Sequence, residues 1–234
     1  MTTPAPRIGV RVAQYGGDWS RLRDGALRAE RLGFDSLWVN DHLRSPGRLA
    51  AEPTFDAMTT LAALAPLTSR IGLGTAVLSA TYRHPAVAAK AASLLDVISG
   101  GRMILGLGTG SHREEHAAYG IPFPPPDGRT AGLRRALDVA EAMFAAPEGA
   151  TLDGELSDAP NAPAPVQRPR PPIWLAAHGP VLLRLAGRRA DGFIAAFCGT
   201  DEFARRRAVA ETARAAAGRP AIEYALYTLS LIHI

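Results

Sequence analysis

Residues 85–108 read PAVAAKAASLLDVISGGRMILGLG, and this stretch decides the fold class. Pro85 opens a helix at the one turn where a missing N–H is harmless. The run continues to Ser99, and Gly100-Gly101 stops it as a glycine does past a helix end. Met103-Ile104-Leu105-Gly106-Leu107-Gly108 then reads as a buried strand. Helix, glycine stop and apolar strand form one unit.

The unit repeats outward in both directions. Upstream, strand-like runs at 8–14, 36–41 and 71–77 alternate with helical patterns at 19–32 and 55–67, the first closed by Gly33. Downstream, a helix is predicted over 130–146. A proline-rich stretch at 147–172 reads as an irregular surface excursion. Strands at 173–177, 193–197 and 223–227 then alternate with helices at 181–189 and 202–217. This makes seven β/α units, or six and a strand.

Strict alternation demands parallel strands, because each crossover helix returns the chain to the same end of the sheet. A doubly wound sheet and a (β/α)8 barrel both fit. Seven strands in one unbroken series favour the barrel, so the expected fold is an α/β (β/α)8 TIM barrel that is incomplete, with its last unit missing. The final residues Leu229-Ser230-Leu231-Ile232-His233-Ile234 match the translation of a transposase mosaic end used in sequencing libraries. The expectation is therefore a truncated barrel domain over 1–228 and a non-native tail over 229–234.

Composition removes other classes. With 47% apolar and 21% charged residues in 234, the chain is too apolar for disorder and too interrupted by charge for a membrane span. Cys198 is the only cysteine, which excludes a disulfide scaffold and cysteine-rich zinc modules. The start lacks a signal-peptide pattern, so a cytoplasmic location is expected. Net charge is +4, and the arginines are spread along the chain; Arg205-Arg206-Arg207 lies beside Asp201 and Glu202. A solvated helix face explains that run better than a nucleic-acid surface.

Four motifs fall where a barrel builds its site, at the carboxyl ends of strands. Asp41-His42 puts an acid and an imidazole after the second strand; a helix cap beside a packed histidine fits that pair equally well. Gly106-Leu107-Gly108-Thr109-Gly110 would let backbone approach a ligand closely, although it is not a dinucleotide fingerprint. His112-Arg113-Glu114-Glu115-His116 matches the pattern H-x-x-E-H. It follows a glycine turn rather than lying deep in a long helix, and no metal is expected. Ala176-Ala177-His178-Gly179-Pro180 is a small-residue turn opening a helix, a ready anion site.

Taken together, the chain resembles the luciferase-like flavin-dependent oxidoreductase superfamily. The resemblance rests on 32–38 (LGFDSLW), Asp41-His42, 69–75 (SRIGLGT), 85–89 (PAVAA), Gly100-Gly101-Arg102, 106–110 (GLGTG), Glu115, 119–123 (YGIPF) and Ala190-Asp191-Gly192. It implies a (β/α)8 barrel using reduced FMN to activate oxygen or the deazaflavin coenzyme F-420 to carry hydride. Asp41-His42 resembles the deazaflavin branch, in which the acid contacts the deazaflavin and the histidine acts near its reactive carbon. The resemblance further implies a cis peptide at Ala76–Val77, cofactor-tail contacts at Thr109, Gly110 and Glu114, and a phosphate cradle at Ala177, His178, Gly179 and Pro180. The sugar-phosphate dehydrogenases of this branch carry glutamate where Ser111 stands and tryptophan near Pro46, and these departures argue against glucose 6-phosphate. Similarity to methylenetetrahydromethanopterin reductases is comparable. The expected function is F-420-dependent hydride transfer to or from a small organic substrate, with FMN-dependent monooxygenation as the alternative and a non-catalytic binding scaffold as a remote one. A small molecule is the expected partner, with neither nucleic acid nor membrane; homodimerisation is left open for the full-length form.

Overall fold

The computed structural model describes residues 6–12, 14–45 and 52–227. Pro46 and residues 229–234 lie outside them, as does Ala13 of the first predicted strand. In chain order the elements are β1 (Gly9–Arg11), α1 (Trp19–Arg31), β2 (Ser36–Val39), α2 (Ala57–Leu64), β3 (Gly72–Thr75), β4 (Leu78–Ser79), α3 (Pro85–Ser99), β5 (Met103–Gly108), α4 (Arg113–Ala118), α5 (Pro126–Ala145), β6 (Ala150–Leu152), β7 (Leu156–Ala159), β8 (Ile173–Ala176), α6 (Pro180–Arg189), β9 (Gly192–Ala196), α7 (Thr200–Ala216) and β10 (Glu223–Tyr227).

The main sheet is parallel and runs β1-β2-β3-β5-β8-β9-β10, with β4 pairing β5. Seven strand positions in sequence order are the incomplete barrel that the alternation predicts. β1 and β10 form its two edges among the described residues, and Arg7 pairs with Glu223 between them. Arg11 lies over the Tyr227 ring, 5.7 Å from its centroid.

Side chains alternate across each strand. Leu37, Leu73, Leu105, Ile173 and Phe193 are fully buried, packing with helix residues such as Leu61, Leu64, Leu133 and Leu137. The barrel interior is closed by Trp38 and Trp174, whose rings lie 5.4 Å apart. Glycine faces both indoles: a Cβ at Gly74 would occupy the Trp38 ring, and one at Gly192 the Trp174 ring.

Several boundaries differ from the sequence reading. The strand predicted at 71–77 ends as β3 at Thr75, and after the cis Ala76–Val77 peptide a short β4 follows at Leu78–Ser79, beyond the predicted bounds. The helix predicted at 55–67 is α2 followed by a 3₁₀ turn, Ala65–Leu67, that contains Pro66. α5 begins at Pro126 rather than residue 130, because Pro126 and Asp127 suit a first turn. The proline-rich excursion contains the β6–β7 hairpin. Buried Asp96 on α3 fixes it by accepting the Val166 and Gln167 N–H groups at 2.7 and 2.9 Å. The arginine run on α7 is partly spent: Arg205 and Arg206 pair with Glu202, and Arg207 covers Tyr224. Among the described residues no helix is long and apolar enough to cross a membrane.

Candidate active site at the carboxyl rim

β2 delivers Asn40, Asp41 and His42 to the rim. Buried Gln14 anchors this exit: its Oε1 accepts the Asn40 N–H, and its Nε2 donates to the carbonyls of Asn40 and Phe55 at 2.9 Å each. A side-chain amide here bridges three backbone segments that no regular ladder reaches.

Asp41 sits at the strand end as expected, but its side chain is only 1% exposed. Arg83 grips both oxygens at 2.6 and 2.9 Å, and the Ser79 N–H donates to Oδ2 at 2.7 Å. Arg83 also reaches Asp56 at 3.2 Å. The carboxylate thus ties the end of β2 to β4 and the start of α3.

His42 is different, with a side chain 15% exposed. Its Nδ1 lies 3.0 Å from Glu115 Oε2, and its ring meets His112 edge-on at 4.8 Å. The aromatic ring of Tyr15 lies 6.4 Å away. Glu115 on α4 is 3% exposed and is met from four sides. Oε1 accepts the N–H groups of Leu43 and Arg44, the latter at 2.9 Å; Oε2 accepts the Tyr82 hydroxyl at 2.6 Å and faces His42. Burial alone would push this carboxyl up, but the hydrogen bonds from His42, Tyr82 and Arg44 outweigh it and bring the pKa down to about 2. Burial and the same carboxylate push the Tyr82 phenol well above its ordinary value, so it stays a donor.

The H-x-x-E-H segment does not act as one unit. His116 is fully buried, with Nδ1 3.0 Å from the His112 carbonyl and Nε2 2.7 Å from Thr81 Oγ1. A carbonyl only accepts, so Nδ1 donates to it and both nitrogens are committed. His112 precedes α4 in a left-handed conformation, φ 58°, with Nδ1 2.6 Å from Ser111 Oγ. The groups whose ligand atoms do converge, all within 4.8 Å, are His42, His112 and Glu115. Glu115 Oε1 already accepts two backbone N–H groups and Oε2 the Tyr82 hydroxyl, so an ion at this trio would compete with those bonds.

The glycine motif after β5 has a packing explanation in part. A Cβ at Gly106 would meet the Thr75 carbonyl, and one at Gly108 would meet Val77. Those two glycines make room for the irregular exit of β3, a packing reason that the sequence reading did not include. Gly110 has φ 79° and lies against Ser79 and Thr81, and its carbonyl accepts from Arg129 at 3.0 Å. Thr109 is half-buried beside it, whereas Glu114 is exposed on α4 and Ala76 and Val77 are half-buried at the rim.

Ala177 is buried at the end of β8, and His178, Gly179 and Pro180 are exposed. Gly179 is the N-cap of α6, and no side chain bonds to that helix end. Arg206 from α7 donates to His178 Nδ1 at 3.0 Å. Burial and this neighbouring cation hold the His178 imidazole below its ordinary pKa. Free N–H groups, a helix dipole and a guanidinium converge here, the donor set a phosphate needs. Glu115, Tyr82, Arg83 and Arg206 were not picked out as site residues from the sequence. Glu115 had a signal, in the H-x-x-E-H pattern and as one mark of the family resemblance, and Arg206 lay in the arginine run read as a solvated helix face.

The comparisons agree with this architecture. The luciferase-like monooxygenase family model matches residues 4–234. An F420-dependent glucose-6-phosphate dehydrogenase of Intrasporangium calvum is 40% identical over 177 residues, covering 74% of this chain and 52% of that protein. The chain thus spans about half the length of the curated relatives it matches. Among solved structures, an F420-dependent secondary alcohol dehydrogenase in complex with an F420-acetone adduct superposes with a TM-score of 0.85 at 22% identity, covering 94% of this chain and 68% of that one. The coenzyme F420-dependent tetrahydromethanopterin reductase of Methanopyrus kandleri gives 0.77 at 26% identity, covering 95% and 65%. The chain belongs to the luciferase-like monooxygenase family.

Proposed function

We propose that the protein is a coenzyme F-420-dependent oxidoreductase acting on a small organic substrate, with His42 as its proton-exchanging residue. The single observation that carries this reading is the partly open imidazole of His42 at the carboxyl end of β2, backed by a buried carboxylate. The F420-dependent relatives support the choice of cofactor. When bound, the deazaflavin supplies a two-electron hydride carrier that reacts poorly with oxygen.

The protein's own residues do the rest. The free N–H groups of the turn at His178 and Gly179 and of the first turn of α6 after Pro180, with the Arg206 guanidinium beside them, would hold the cofactor's phosphate, and Ala177 would fix the start of that turn. Thr109, Gly110 and Glu114 would hold its tail, and the backbone of Ala76 and Val77 would support its ring. Asp41 keeps that backbone in place through Arg83 and the Ser79 N–H. His42 gives or takes the proton that accompanies hydride movement at carbon, a task imidazole performs near neutral pH.

An equilibrium titration of the full-length protein, followed in the visible spectrum with F-420 and separately with FMN, tests the reading. Saturable binding of F-420 at one per chain, with FMN much weaker, is expected. Tight FMN binding with none for F-420 would move the protein to the monooxygenase reading, and no binding of either would leave a scaffold.

A further inference from the structure

We propose that Glu115 is a positioning residue for His42: its carboxylate fixes the imidazole in the Nδ1–H form, so that Nε2 is the nitrogen that exchanges the proton. The assignment of that exchange to catalysis rests on the function proposed above; the tautomer itself does not.

The argument is one of donors and acceptors. Glu115 Oε2 has two neighbours, the Tyr82 hydroxyl at 2.6 Å and His42 Nδ1 at 3.0 Å. An ionised carboxylate only accepts, so Nδ1 must carry a hydrogen. The other oxygen binds the N–H groups of Leu43 and Arg44, the two residues after His42. One side chain therefore fixes both the backbone that carries the imidazole and the ring's own rotation. Tyr119, one turn further along, donates to the Leu43 carbonyl at 2.8 Å and completes the clamp.

The other polar neighbours do not compete for Nδ1. Asp41, adjacent in sequence, is spent on Arg83 and the Ser79 N–H. His112 approaches edge-on with its own Nδ1 beside Ser111, and burial next to His42 holds its pKa below the ordinary value. Tyr15 stands 6.4 Å away, ring to ring. In a turnover that oxidises an alcohol, a bound deazaflavin would supply the hydride acceptor, and Nε2 would take the hydroxyl proton. Glu115 stays ionised throughout and balances the imidazolium that forms, the role a buried carboxylate plays behind a catalytic histidine.

Long-range proton–nitrogen NMR of the full-length protein reads the tautomer directly, with His42 assigned by its loss in His42→Gln. The wild-type protein is expected to show His42 protonated at Nδ1, with Nε2 bare at high pH. Glu115→Gln keeps a carbonyl for Leu43 and Arg44 but turns an NH₂ donor toward Nδ1, so the tautomer should switch to Nε2–H. Turnover should then fall by about 10²-fold, with cofactor affinity changed by about threefold or less. A wild-type spectrum with Nε2–H would overturn the proposal, and it does so even if Glu115→Gln fails to fold. An unchanged tautomer in a variant that melts like the wild type would overturn it too. A switched tautomer with unchanged turnover would instead remove His42 from the chemistry, so failure of the function is distinguishable from failure of the tautomer.

Discussion

Two sides of the same rim are built on opposite principles. On the side of β2, β4 and α4, the polar side chains that shape the site are answered within the protein: Glu115 by four donors, Asp41 by Arg83 and Ser79, His116 at both nitrogens. On the side of β8 and α6, the turn is exposed, the helix end has no side-chain cap and its first N–H groups are open, while Arg206 bonds both His178 and Glu202. A group that must move a proton needs fixed geometry before the substrate arrives. A cradle for a phosphate needs donors left free. Under the proposed function, the first would be a chemical half and the second a binding half, and substitutions on each side should read out differently.

The largest effect is expected from Glu115→Ala. It strands two backbone N–H groups, the Tyr82 hydroxyl and His42 Nδ1 around a cavity, and should cost about 3–5 kcal/mol in a denaturation midpoint. The same carboxyl gives the pH dependence its sign. Its pKa is lowered from 4.5 to about 2 in the folded protein, so its contribution is complete above about 4.5 and is lost as pH falls toward 2. An acid titration monitored by circular dichroism should show that limb flattened in Glu115→Gln.

Gly106→Ala comes next. Its Cβ would face the Thr75 backbone carbonyl, which cannot rotate away, and a loss of about 1–3 kcal/mol is expected. On the binding half, Arg206→Ala should leave the melting temperature nearly unchanged and weaken F-420 binding about tenfold, roughly 1.4 kcal/mol. The smallest effect belongs to Gly179→Ala: its Cβ meets nothing, and only the cap preference, about 0.5 kcal/mol of stability, is at stake. A Gly179→Ala more damaging to stability than Gly106→Ala would reverse the comparison between the two halves.

The strand series and the turn that opens α6 were legible in the sequence because their signals are local. α3, β5 and β10 lie where glycine stops and apolar runs place them, and Gly179-Pro180 opens α6 as a small-residue turn does. The chemical half is assembled from distant segments. His42 and Glu115 are 73 residues apart, joined only when α4 folds over the exit of β2. The H-x-x-E-H pattern pointed elsewhere, since Glu115 and His116 are neighbours on a helix and face directions about 100° apart. Glu115 therefore meets His42 while His116 turns to Thr81. The packing role of Gly106 and Gly108 was not legible for a related reason. Their spacing puts both on one face of β5, but only the pairing with β3 and β4 reveals what occupies that face.

The most direct test of the central claim is the single-turnover rate of His42→Ala in the full-length protein loaded with F-420, measured on a substrate found by screening alcohols and sugar phosphates. The account predicts a rate about 10²–10⁴-fold below wild type, with the F-420 dissociation constant changed by about threefold or less. A variant that binds F-420 and turns over at the wild-type rate would contradict it, and would make the imidazole at the end of β2 a packing group.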